Sequence, residues 1–153
     1  MTRFVGPAAL LALVVFVAPA RPADPPADGT EAVVTGTVLP MAKALEKTGV
    51  KADADTPGVA LVTDTGKVYP LVKEELSRML FVEPKLQSRA VRLTAKVVPG
   101  TTLLRVSGVQ TVKDGKVYDV DYWCDNCQLF ALSPGPCKCC GGPTVLRETL
   151  VTK

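Results

Sequence analysis

The sequence predicts a mainly β domain: a small antiparallel barrel with one short helix and a C-terminal pair of cysteine knuckles. Three observations support this fold class. Short runs rich in β-branched residues recur between clusters of turn residues. The run from Gln87 to Val98 alternates apolar and polar residues, as a half-buried strand does. Residues 124–153 contain all five cysteines of the chain.

The N-terminal residues 1–20 have the composition of a secretory signal peptide. Arg3 precedes an apolar run over residues 8–17, and the small residues Ala18 and Ala20 suit cleavage after Ala20, with cleavage after Ala23 as a second option. The apolar run is shorter than the roughly 18 residues that a spanning helix needs. We therefore expect an exported protein, periplasmic or extracellular, with no membrane span after signal removal.

Residues 21–30 are rich in Pro, Ala and Asp, and they have too little apolar surface to join a core. We expect a flexible leader there. The β domain should then occupy residues 31–123, and the cysteine module residues 124–153.

The predicted strands cover 32–39, 59–63, 67–72, 87–98, 103–112 and 117–123. Turn signals join two pairs of them, with Gly66 in the first turn and the Asp114-Gly115 dipeptide in the second. The alternation in the strand over 87–98 places these side chains in the core: Val91, Leu93, Ala95 and Val97.

One helix is predicted between the third and fourth strands. Leu76, Met79 and Leu80 have the i, i+3, i+4 spacing of one apolar face, with Ser77 and Arg78 on the polar side. A shorter helical turn could form over 41–47.

The strand order, with a helix between the third and fourth strands, resembles an OB-fold over residues 31–123. The resemblance implies a partly closed five-stranded barrel. A small β-sandwich is the main competing interpretation.

The cysteines form two C-x2-C pairs, Cys124 with Cys127 and Cys137 with Cys140. Two such pairs can surround a metal ion with four thiolates, at about 2.3 Å for zinc. Gly141 and Gly142 allow a tight turn after the last pair, and residues 133–136 form a turn between the pairs. Residues 144–151 could supply a closing strand.

Over residues 122–151 these features resemble the zinc-ribbon class, which implies a structural zinc ion. The fifth thiol, Cys139, departs from that pattern and is a possible alternative ligand, since Cys137 with Cys139 could also bind. Two other interpretations stay open. Export would favour disulfides, and the clustered Cys137, Cys139 and Cys140 could handle a soft metal ion or exchange thiols.

No catalytic residues are predicted. Histidine is absent, which removes the commonest general base. The 18 basic and 15 acidic residues are scattered, so no nucleic-acid footprint is indicated. Tyr118, Tyr122 and Trp123 are expected in the core, and Asp119 and Asp121 on a solvated strand face. We expect a non-enzymatic binding or structural module with an unknown partner.

Overall fold

The structure, a computed structural model, describes residues 24–25 and 29–152. The predicted signal peptide over 1–20, and both predicted cleavage positions, lie outside the described residues.

Short helices and strands alternate in the first half of the described chain, and strands dominate the second half. The strands are β1 (Ala32–Pro40), β2 (Val59–Thr63), β3 (Val68–Pro70), β4 (Ala90–Val97), β5 (Leu104–Lys113), β6 (Lys116–Cys124), β7 (Leu129–Ala131) and β8 (Val145–Leu150). The helices are α1 (Met41–Glu46) and α2 (Arg78–Val82), and a 3₁₀ turn covers Pro84–Leu86.

All eight strands belong to one sheet with antiparallel ladders, in the order β3-β2-β1-β4-β5-β6-β7, and β8 pairs with β6. The prediction of a mainly β fold is confirmed. The predicted closure into a barrel is wrong. The chain just after β3 reaches the far side of the sheet at a single isolated parallel bridge, from Leu71 to Leu104. Because β3 has three residues, it offers too short a ladder to close the sheet.

The core forms between the sheet and α2. The four side chains predicted to face inward from β4 are all buried, which confirms the alternation: Val91, Leu93, Ala95 and Val97. Leu93 lies opposite Val34 of β1 and Val109 of β5, so it occupies the centre of the sheet. Apolar burial of this kind is the main favourable term in folding.

Both predicted hairpins are present. Strands β2 and β3 pair around the turn that contains Gly66. Strands β5 and β6 pair up to Lys113 and Lys116, and Asp114 and Gly115 between them have φ values of +51° and +71°. Two positive φ values identify the type I′ turn that matches strand twist.

The helical region confirms one prediction and corrects another. The helical turn predicted over 41–47 is present as the short helix α1, and its Ala42 and Ala44 are buried. Ser77 was placed on the polar side, but it is fully buried. Its hydroxyl donates to the carbonyl of Val72 and accepts from the N–H of Glu74, at 2.7 and 2.8 Å. Local backbone bonding therefore explains a buried serine.

Asp24 of the predicted leader contacts the β2–β3 hairpin. Asp24 accepts hydrogen bonds from Lys67 and Thr65, at 2.7 and 3.0 Å, and Pro25 is buried. The charged partner Lys67 holds the pKa of the Asp24 carboxyl below its ordinary value.

Tyr122 of β6 is 3 % exposed, and its hydroxyl has no hydrogen-bond partner among the described residues. Burial, followed by the charge of Glu83, raises its pKa to about 12.

An unpaired buried hydroxyl, such as that of Tyr122, carries a desolvation cost of about 1 kcal/mol or more. We therefore expect Tyr122→Phe to stabilise the fold by about 1 kcal/mol in urea denaturation. The half-buried Tyr118, replaced in the same way, should change stability little. A loss of stability in Tyr122→Phe would mean that the hydroxyl has a partner.

Candidate metal centre

The first cysteine pair directly continues β6. Cys124, the last residue of β6, is buried, and its carbonyl accepts a hydrogen bond from the N–H of Gln128 at 2.8 Å. Gln128 has a φ of +53°, a left-handed conformation that reverses the chain. Strand β7 begins at the next residue and runs back along β6. The turn therefore projects Cys124 and Cys127 from the end of a paired strand.

The second cysteine pair repeats this turn. The carbonyl of Cys137 accepts from the N–H of Gly141 at 2.8 Å, and Gly141 has a φ of +69°. The N–H of Gly142 also points at the sulfur of Cys140, 3.4 Å away. In both C-x2-C segments, the carbonyl of the first cysteine thus accepts a hydrogen bond from the residue four positions later. That donor residue has a left-handed conformation in each case.

Strands β7 and β8 hold the two turns against the sheet. Trp123 of β6 lies opposite Phe130 of β7 on one side and Val145 of β8 on the other. The predicted closing strand is therefore present as β8. The hydroxyl of Thr144, which follows the second turn, donates to the carbonyl of Gly135, which precedes it, at 2.7 Å. The cysteine module is thus an extension of the main sheet.

Four sulfur atoms meet where the turns face each other. The sulfurs of Cys124, Cys127, Cys137 and Cys140 all lie within 4.8 Å of one another, and those of Cys124 and Cys140 are 3.7 Å apart. Sulfurs bound to one tetrahedral ion at about 2.3 Å would be about 3.8 Å apart. A disulfide joins its sulfurs at about 2.05 Å. The group has a spacing that could hold a metal ion.

Local hydrogen bonds divide the four thiols into two classes. Backbone N–H groups, from Gly142 at Cys140 and from Cys140 at Cys137, lower the pKa of both thiols, to about 6 for Cys140. The side chain of Asn126 assists at Cys140. A lowered pKa favours the thiolate, which is the form that binds metal.

The first pair has the opposite shift. The pKa of Cys127 is raised, chiefly by the neighbouring thiol of Cys139 and then by that of Cys140. At Cys124 the backbone N–H of Cys127 lowers the pKa, but burial and the thiols of Cys137 and Cys140 outweigh it, so the net pKa is raised. A cation at the centre of the group would relieve the repulsion among four thiolates.

Cys139 is exposed and lies outside the group of four. In the structure, the second pair therefore contributes Cys137 and Cys140. Sequence spacing left this choice open, because Cys137 with Cys139 was also possible. Asn126 was missed by the sequence analysis, although its position between the first two cysteines was the available signal.

The aromatic and acidic residues beside the module have structural partners. Tyr122 is in the core, as predicted, whereas Trp123 is only partly buried. Its ring stacks against Arg147 of β8, whose guanidinium carbon lies 3.9 Å from the ring centroid. Arg147 also donates two hydrogen bonds to Asp121, at 2.9 and 2.6 Å. These side-chain contacts join β8 to β6.

Gly141 offers a test of the second turn. Adding a Cβ there meets no atom within 4 Å, so the expected effect of Gly141→Ala is the strain of a left-handed alanine, about 1 kcal/mol. We expect metal affinity to fall about five-fold, measured by competition with a chromogenic chelator. Gly49→Ala is the matched control, since Gly49 has a φ of +81° and equally open surroundings. It should cost similar stability and leave metal affinity unchanged. Equal affinities for both variants would contradict this role of Gly141.

No family model, curated protein or solved structure matches the chain. Among the described residues, no helix is both long and apolar enough to cross a membrane.

Proposed function

We propose that this chain is an exported, non-enzymatic small module in which Cys124, Cys127, Cys137 and Cys140 bind one structural zinc ion. The observation that supports it most is the mutual approach of four sulfurs to within 4.8 Å. Four thiolates complete a tetrahedron and leave no open position for a substrate, so the ion would serve stability. In this proposal the cysteine module belongs with the zinc ribbons.

Zinc is favoured among metals by the ligand set. An all-thiolate tetrahedron suits zinc or an iron–sulfur centre, whereas calcium and magnesium require oxygen ligands. Two of the thiols are buried, that of Cys124 at the end of β6 and that of Cys137, while Cys127 and Cys140 lie nearer the surface. An ion there would join residues on both sides of the segment over 128–136, which contains β7.

The test combines elemental analysis with thiol counting on protein purified without reductant. We expect one zinc ion per chain and one rapidly reacting thiol, Cys139, in the folded protein. After denaturation with a chelator, all five thiols should react. No metal and a single reactive thiol after denaturation would mean two disulfides and would overturn the proposal.

Export has its own test, because it rests on the N-terminal sequence alone. Cleavage after Ala20 predicts a mature protein that begins at Arg21, and cleavage after Ala23 one that begins at Asp24. N-terminal sequencing of protein from the exported fraction distinguishes them. Recovery of the uncleaved chain in the cytoplasm would contradict export.

The exposure of Cys139 and Cys140 favours one alternative function, the handling of a soft metal ion or thiol exchange. Cys137, Cys139 and Cys140 would then bind an ion such as Cu(I) for transfer. This alternative predicts that Cys139→Ser weakens Cu(I) binding. The structural site predicts that this substitution leaves zinc content unchanged.

A further inference from the structure

Strand β5 has an unpaired stretch on the side that faces away from β4. Its first residue, Leu104, forms the bridge to Leu71, and its second half, from Gln110 onward, pairs with β6. Within the described residues, no strand is in register with Arg105–Val109 on that side. At about 3.3 Å per residue, this notch is about 17 Å long. We call it the β5 notch.

The notch exists because β6 diverges from β5. The β5–β6 ladder ends at the pair of Gln110 and Asp119, and the same edge of β6 next pairs with β7, from Tyr122 onward, while β8 pairs along the opposite edge. A β-bulge in the β4–β5 ladder, between Thr94 and Ala95, leaves Ser107 without a β4 partner. Bulges bend strands and increase their local twist. Both features belong to the paired sheet itself, so the gap is a property of the fold.

A cavity of about 430 Å³ lies along the part of the notch from Ser107 to Val109. Arg105, at the other end of the notch, does not line this cavity and pairs with Glu74 at 2.8 Å. Apolar side chains from α2 and from residues 130–132 line the cavity, including Met79 and Phe130, and Asp119 and Asp121 of β6 form an acidic wall. No lysine or arginine is among the described residues that line it. Asp121 is paired with Arg147, but Asp119 accepts its hydrogen bond from the neutral amide of Gln110, at 2.8 Å.

The ring of Phe130 is 64 % exposed at the mouth of this cavity. Leu132, the first residue after β7, is also exposed and lines the same cavity. Exposed large apolar side chains beside a groove are typical of binding surfaces. Phe130 and Leu132 therefore favour a ligand with apolar side chains.

We propose that the β5 notch binds an extended peptide segment of a partner protein, about five residues long, with alternating apolar and basic side chains. The peptide backbone would pair with the free edge of β5 by strand addition. Its apolar side chains would contact Phe130 and Leu132, and its basic side chains would face Asp119. The bridge at Leu104 and the β5–β6 ladder that begins at Gln110 limit the length of the peptide segment. This inference goes beyond the proposed function, because it does not require that a metal be bound.

The test uses a fluorescein-labelled peptide of three valine–lysine repeats, with binding followed by fluorescence anisotropy on the purified protein. We expect saturable binding with a Kd below about 1 mM. Methylation of alternate backbone nitrogens should abolish binding, because it removes the donors of a β ladder. A peptide of valine–glutamate repeats should bind at least about ten-fold more weakly.

Two variants locate the site. Phe130→Ala should weaken binding at least about five-fold. Leu129→Ala is the matched control, since Leu129 is a neighbouring exposed residue that does not line this cavity, and it should bind as the unaltered protein does. Circular dichroism of both variants checks that they fold.

Several results would overturn the proposal. They are no binding of the valine–lysine peptide up to 1 mM, equal binding of the methylated or glutamate peptide, or unchanged binding by Phe130→Ala. Sedimentation tests the other occupant, a second copy of this chain. A dimer that Phe130→Ala dissociates would assign the notch to self-association and contradict the peptide proposal.

Discussion

Cys137→Ala is expected to abolish metal binding and to destabilise the protein by about 4 kcal/mol or more. Cys137 is buried, and its sulfur belongs to the group of four. Three thiolates would leave an open coordination position, and the energy that the ion contributes to folding would be largely lost. Metal content after dialysis and urea denaturation measure the two effects. Trp123, the single tryptophan, is adjacent to Cys124 and reports on the site by fluorescence.

Cys139→Ala is the matched control for this prediction. Cys139 is exposed and lies outside the group of four, so metal content should stay at one ion per chain and stability should change by less than about 0.5 kcal/mol. Loss of metal from Cys139→Ala, with retention by a Cys140→Ala variant, would show that the second pair is Cys137 with Cys139.

Leu93→Ala is expected to destabilise the fold by about 3 kcal/mol. Leu93 is fully buried and lies opposite Val34 and Val109 in the central strands. Its truncation removes apolar contacts and leaves a cavity that flanking strands cannot fill. Urea denaturation of the metal-loaded protein measures the loss, and metal content should be unchanged in the folded state.

Val33→Ala is the control for the core, because Val33 lies on the neighbouring strand β1 and is 44 % exposed. It should change stability by less than about 0.5 kcal/mol. A loss below 1 kcal/mol in Leu93→Ala would contradict the placement of Leu93 at the centre of the sheet.

The parts of the fold that the sequence predicted are those set by local patterns. The alternation through Leu93 identified the inward face of β4, since the side-chain period of a strand is two. The Asp114-Gly115 dipeptide identified a type I′ hairpin, since few residues tolerate two positive φ values. The cysteine spacing predicted two turns that bring their sulfurs together, and the repeated i→i+4 hydrogen bonds have that geometry.

The failures arose where distant segments decide the outcome. Closure of the sheet depends on how long β3 pairs and where β6 leaves β5, and neither is encoded in a local period. Ser77 is polar by type, and only the backbone groups around it reveal why it is buried. Strand β7 has three residues, two of them exposed, so it carries no alternation to detect. The choice between Cys139 and Cys140 likewise required the conformation of the turn.

X-ray absorption spectroscopy at the zinc edge, on protein purified from the exported fraction, tests the four-thiolate site most directly. The expected spectrum shows a single shell of four sulfur atoms at about 2.3 Å. A shell that contains nitrogen or oxygen ligands, or the absence of bound zinc, would contradict a four-thiolate site.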